Sequence, residues 1–130
     1  MEDTLSNLNK IEKRKLKIIP KEWGYEGIIE SNNQYCGKIL GFKKVGAKFS
    51  FHMHLKKESW LCSSGSYIVK TINMRNAGRN EMTFAQGDVI HVPPMCPHQI
   101  ICVEPGEIFE VSTEDKEDDS YRIEPGDSQK

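Results

Sequence analysis

No stretch of this 130-residue sequence stays apolar long enough to cross a bilayer as a helix. The opening Met1-Glu2-Asp3-Thr4 lacks the charged-then-apolar order of a secretory signal, so the expected compartment is the cytoplasm. Excess charge of either sign is missing too: 18 basic against 19 acidic residues leave a net charge of −1, with no basic field for nucleic acid and no polybasic patch for a membrane surface. Cysteines are few and unpaired in pattern. Cys36, Cys62, Cys96 and Cys102 form no Cys-x-x-Cys, so they read as reduced thiols rather than a disulfide framework. A long helical period is also lacking. Leu5, Leu8 and Ile11 give a loose helical spacing near the N-terminus, and beyond Pro20 nothing repeats it.

What is there is short runs of β-type residues punctuated by glycine and proline turns. Tyr25 to Ile29 and Tyr35 to Phe42 flank Ser31-Asn32-Asn33 and predict an opening hairpin, and Lys48 to His54 predicts the next strand. Glu58 to Cys62 and Tyr67 to Asn73 are expected to pair across Ser63-Ser64-Gly65-Ser66. Further strands are expected at Met82 to Ala85, Val89 to Val92, from His98, and Glu107 to Ser112. Residues 114–119 are acidic and read as a solvated loop. Strands at this spacing with almost no helix imply an all-β sandwich or barrel. The length suits one domain: an N-terminal arm over residues 1–20, a barrel over 21–123 and a tail over 124–130.

Chemistry concentrates between Gly46 and His98. Side chains alternate faces along a strand, so His52 and His54 project from one side. Glu58, four residues on, can return from a bend with a hard oxygen ligand, and Pro93-Pro94-Met95-Cys96-Pro97 delivers His98. Three imidazoles and a carboxylate make a set suited to one divalent transition metal, with Zn, Mn, Fe and Ni all compatible. His91 lies on a different strand and fits no ligand position. On the opposite face from the histidines stand Phe49, Phe51 and Met53, with Ile101 and Val103 doing the same on the later strand. Cover for these apolar side chains is expected from a homodimer or from the N-terminal arm.

The spacing from Gly46 through His52, His54 and Glu58 to Gly65 resembles the first motif of the cupin superfamily, G-x5-H-x-H-x3-E-x6-G. Gly87 to His98 is similar to the second, with Met95 where the family usually has glycine and Cys102 where it has asparagine. The resemblance implies a double-stranded β-helix, the cupin jelly roll. Lys21 to Glu26, Glu58-Ser59-Trp60, Glu110-Val111-Ser112 and Asp118 to Ile123 look in turn like the cupin domain of bacterial mannose-6-phosphate isomerases, although only Leu55-Lys56-Lys57 separate His54 from Glu58 here. This narrower resemblance implies an isomerase-like enzyme acting on a sugar or sugar phosphate. Lys38 is the candidate polar group beside the ion, Arg122 the candidate anion contact, and Trp60 a candidate pocket wall. A metal-dependent dioxygenase and a non-catalytic carbohydrate-binding module are the alternatives.

Overall fold

A computed structural model describes residues 10–116 and 118–129. Among them the chain forms eleven strands: β1 Lys17–Lys21, β2 Gly24–Ser31, β3 Cys36–Phe42, β4 Phe51–Met53, β5 Glu58–Cys62, β6 Ser66–Ile72, β7 Arg79–Ala85, β8 Val89–Val92, β9 His98–Glu104, β10 Gly106–Ser112 and β11 Tyr121–Glu124. They build two antiparallel sheets in the orders β1-β2-β3-β10-β5-β8 and β11-β4-β9-β6-β7. Strands that are neighbours in sequence often lie in opposite sheets, which is the jelly-roll arrangement. The core sits between the two sheets, where Trp23, Leu40, Phe42, Phe49, Trp60, Tyr67, Phe84 and Ile100 pack together.

Leu5 and Leu8 lie outside the described residues. The segment around Pro20 is a strand rather than the end of an arm, because β1 pairs with β2 from Lys17↔Ile28 to Lys21↔Gly24. Proline has no amide hydrogen to donate, and β1 accommodates it as an edge strand of its sheet. At the other end, residues 124–130 were expected as a tail. Asp127–Gln129 forms a 3-10 turn there, and Asp127 exchanges backbone and side-chain hydrogen bonds with Lys48.

One pairing and one strand length differ from the sequence expectation. β5 and β6 do not pair with each other: β5 lies between β10 and β8, and β6 between β9 and β7. The link between them crosses from one sheet to the other at Gly65, whose φ is +82° and where a Cβ would sit 2.5 Å from the Glu104 carbonyl oxygen. Only a glycine fits that crossing. The expected strand Lys48 to His54 is also shorter, running only over Phe51–Met53 with an isolated bridge at Lys48.

That irregularity overturns the expected outward position of Phe49. With the alternation broken before β4, Phe49 turns into the core against Trp23 and Phe42, and its ring stands 4.9 Å from that of His52. Phe51 does face away from the histidines, yet it is only 1% exposed. The chain covers it with its own Arg79, whose guanidinium lies 5.7 Å from the ring and pairs with Glu124. Two of the three side chains that suggested an exposed apolar face on β4 are thus satisfied within one copy.

Candidate metal centre

The three histidines stand side by side because the register pairs His52 on β4 directly with His98 on β9, and His54 follows just past the end of β4. One ligand atom from each of His52, His54 and His98 can be chosen so that all lie within 4.8 Å of one another. The turn that delivers His98 needs a left-handed residue at Met95, φ +62°, the position where glycine is expected. Its backbone amide donates to the His54 carbonyl at 2.6 Å, which ties the two halves of the site together and offsets the strain.

The rings are already oriented. His98 Nδ1 lies 2.9 Å from the Cys96 carbonyl, and His54 Nδ1 bonds the Asp119 carbonyl. A carbonyl can only accept, so each Nδ1 carries the proton and each Nε2 keeps its lone pair for a ligand. His52 Nδ1 has the Ser50 hydroxyl as its partner at 2.9 Å. Partners of this kind fix the tautomers of metal-bound histidines.

Glu58 enters from β5 in the facing sheet. Its Oε1 accepts from the Trp60 indole at 2.7 Å, and its Oε2 lies 3.8 Å from His54 Nε2. Oε2 is buried and has no hydrogen-bond partner among the described residues. A buried unsatisfied carboxylate oxygen is costly, and an ion held by this oxygen and three neutral imidazoles would satisfy it. The residues present therefore fit a divalent transition metal with three nitrogen ligands and one oxygen ligand. The expected set of His52, His54, Glu58 and His98 is drawn to one place, with Trp60 packed 5.1 Å from the His98 ring as one wall.

Sequence reasoning missed the ion network beneath the histidines. Lys56 Nζ contacts Glu110 at 3.0 Å, Asp115 at 2.8 Å and Glu58 at 4.0 Å. Lys38 Nζ contacts Glu26 at 3.0 Å, Asp115 at 3.2 Å and Glu110 at 3.9 Å. Lys38, the candidate polar group beside the ion, lines the cavity but makes these contacts to carboxylates and none to the histidines, and the carboxylates hold its pKa well above the ordinary lysine value against the pull of burial. It is a fixed cation. Period-two alternation back from Glu58 would have placed Lys56 on the ligand side of the chain, the one signal that was available. The acidic segment 114–119 is likewise not wholly solvated. Asp115 bridges both lysines, and Asp119, 7% exposed, accepts from the backbone amides of Leu55 and Lys56. Those amides belong to the β4–β5 turn, where no strand partner satisfies them.

Arg122, on β11, pairs in register with His52 and lines the same cavity, a space of about 590 Å³. Among the described residues it makes no ion pair. His91 is exposed and bonds Ser59 through Nδ1, outside the cluster. All four cysteines are free, and Cys36, Cys62 and Cys102 are buried.

Burial, reinforced by the neighbouring imidazoles and Lys56, pushes His52 down to about 2, and burial chiefly pushes His98 down to about 3. Burial and the nearby Glu110 push Glu58 up to about 8. In the metal-free protein an unfolded histidine takes its proton near pH 6.5, whereas folded His52 and His98 refuse it until far lower. They therefore withdraw stability as the pH falls below about 6.5, by about 1.4 kcal/mol per unit each. Glu58 acts oppositely. It holds a proton when folded and not when unfolded between about 8 and 4.5, so it adds stability as the pH falls through that window. Chelator-treated protein is expected to be most stable near pH 6.5 and to weaken on both sides, as read by urea unfolding at pH 8, 6.5 and 4.5. Stability still rising from pH 6.5 to 4.5 would mean that the imidazoles accept protons in the folded state.

No family model matches the chain. It is 32% identical over 127 residues to a mannose-1-phosphate guanylyltransferase of Salmonella muenchen, a match covering 94% of this chain and 25% of that protein. Among solved structures it is similar to the oxalate decarboxylase of Bacillus subtilis, with a TM-score of 0.74, 18% identity, and coverage of 83% of this chain and 30% of that one. The oxalate decarboxylase of Lactobacillus farciminis is similar at a TM-score of 0.72 and 17% identity, over 83% and 34% of the two chains. The B. subtilis enzyme is described with Mn(II) centres. This chain spans about a quarter of its curated relative and about a third of these structural neighbours.

Proposed function

Since this chain has the fold of the cupin superfamily, we propose that it is a metal-binding, isomerase-like enzyme acting on a sugar or sugar phosphate. The observation that carries the metal reading is the buried Oε2 of Glu58, without a hydrogen-bond partner among the described residues, beside three histidines with two tautomers already set. His52, His54, Glu58 and His98 would hold one divalent ion, which supplies Lewis-acid polarisation of a substrate oxygen. The chain's own residues do the rest. Trp60 orients Glu58 through its indole, and Lys56 sets a positive charge 4.0 Å from the same carboxylate. Lys38 holds Glu26 and Asp115 in place and binds rather than exchanges protons.

The sugar-phosphate part of the reading is supported by two things. The curated relative is named for mannose 1-phosphate, and Arg122, which makes no ion pair among the described residues, lines the cavity with Ser120. Arginine suits a phosphate through its planar fork of donors. Arg122→Ala is expected to weaken binding of a sugar phosphate by roughly 1.5–3 kcal/mol and to leave the free sugar nearly unaffected, as read by titration calorimetry. Equal losses for both ligands would take the phosphate contact away from Arg122.

The reading places the protein in the cytoplasm as a homodimer, without nucleic-acid or membrane partners. Its direct test is to load the purified chain with Zn, Mn, Fe or Ni in turn and follow aldose–ketose interconversion of sugar phosphates. Oxygen uptake with iron and no interconversion would favour a dioxygenase. Tight sugar binding without turnover under any metal would favour a carbohydrate-binding module.

A further inference from the structure

The three histidines are not held alike. His52 and His98 lie on β4 and β9 and are partners in the register, so the sheet itself fixes their backbones. His54 stands one residue beyond the end of β4, in the turn that leads to β5. The ladder has ended there, and the polar backbone groups of the turn must be satisfied from elsewhere. Met95 donates its amide to the His54 carbonyl at 2.6 Å. The segment between β10 and β11 takes the next three amides. Lys57 donates to Thr113 Oγ1 at 3.1 Å, and its carbonyl accepts from the Thr113 amide at 3.0 Å. Asp119 takes the other two: Oδ1 accepts from Leu55 at 2.7 Å and Oδ2 from Lys56 at 3.1 Å. The main-chain carbonyl of the same Asp119 accepts from His54 Nδ1. One residue therefore holds this histidine twice, its backbone through the carboxylate and its ring through the carbonyl.

We propose that Asp119 is a positioning residue of the metal centre: its carboxylate anchors residue 119 across the β4–β5 turn, so that its carbonyl keeps the proton of His54 on Nδ1 and leaves Nε2 open toward Glu58. The proposal rests on the metal reading above. Its physical basis is the choice between two tautomers. A neutral imidazole carries one proton, and with no acceptor at Nδ1 that proton can sit on Nε2, where a ligand lone pair is needed. Nε2 of His54 lies 3.8 Å from Glu58 Oε2, within the cluster. No side-chain substitution can remove the carbonyl, so what the Asp119 side chain decides is where that carbonyl sits. The grip is firm for two reasons. Bonds from amides to an ionised carboxylate are stronger than neutral ones. Asp119 is also buried, and among the described residues no lysine or arginine pairs with it, so the two amides are what compensate its charge. The Asp119 amide donates to the Lys116 carbonyl at 3.0 Å, which fixes the peptide from the other side. Thr113 provides the contrast, because it ties the same segment to the same turn at Lys57 and touches no ligand.

Two measurements on the full chain test this. Long-range proton–nitrogen NMR of the chelator-treated protein near neutral pH reports which ring nitrogen of His54 carries the proton, and competition with a chromophoric chelator gives the Zn(II) affinity. The wild type is expected to show His54 protonated on Nδ1. Asp119→Ala is expected to show a mixture of tautomers and to bind Zn(II) about 10–100-fold more weakly, the scale for loss of a ligand's supporting partner. Asp119→Asn keeps one acceptor oxygen for the two amides and is expected to fall between wild type and Asp119→Ala in both measurements. It decides the question if the alanine variant fails to fold. Thr113→Val removes an anchor of the same segment and is expected to leave both the tautomer and the affinity as in the wild type. An unchanged tautomer or an unchanged Zn(II) affinity in Asp119→Ala overturns the proposal, and so does a loss of equal size in Thr113→Val, which would make the effect a general loosening of the segment. A wild type without Zn(II) affinity overturns the metal reading instead, and the NMR comparison then still decides whether Asp119 holds the His54 ring.

Discussion

His98→Ala is expected to yield a folded protein that no longer retains a metal ion, where the wild type carries about one per chain by mass spectrometry. His98 is 2% exposed, its Nδ1 is engaged by the Cys96 carbonyl, and it joins the two strands of the site by pairing with His52. Its removal deletes one nitrogen ligand of three and opens the cavity floor to water. Changing merely a supporting partner of a ligand typically costs 10–100-fold in metal affinity, so loss of a ligand itself is expected to exceed that. Glu58→Gln makes a separate case. It keeps the shape and can still accept from the Trp60 indole, but it removes the anion that offsets the ion's charge, so a large loss is expected there too. Full occupancy in both variants would remove these residues from the ligand set. Cys96→Ser supplies the control, with occupancy expected to stay unchanged because its thiol faces the Pro97 carbonyl rather than the cluster.

The second large effect is expected at Lys56. Its side chain is 2% exposed and closes a network of three carboxylates. Lys56→Met fills similar volume and removes the charge, which leaves Glu110 with only Lys38 at 3.9 Å and Glu58 facing an uncompensated neighbour. Breaking a buried ion pair by deleting one partner typically costs 3–5 kcal/mol, because the remaining charge stays desolvated. A loss on that scale is expected in chemical unfolding at pH 7. Adding Glu110→Gln to Lys56→Met should recover part of it, since the orphaned charge is then gone. A loss below about 1 kcal/mol for the single variant would mean that water reaches the network and that the cavity floor is not dry.

The metal-ligand candidates were legible because they depend on local rules. Alternation along a strand places His52 and His54 on one side, and the Pro-rich turn before His98 is written in the residues that form it. The β2–β3 hairpin and the all-β character followed in the same way. What could not be read was anything decided by contacts between distant segments. Phe49 obeys no alternation because the chain bends before β4 to let it reach Trp23 and Phe42. Phe51 is hidden by Arg79 and Glu124, which lie far from it in sequence. Asp115 and Asp119 look like members of a solvated acidic run, yet they stand where two buried lysines and two unpaired amides require anions. The sequence by itself determined which side chains are candidate metal ligands and that the chain is built from strands, because period and composition act over a few residues. Only the tertiary structure decided which charges are buried and what surrounds Glu58, because burial arises when segments 50 to 80 residues apart are brought together by sheet pairing, as in Lys56 with Glu110 and Lys38 with Asp115.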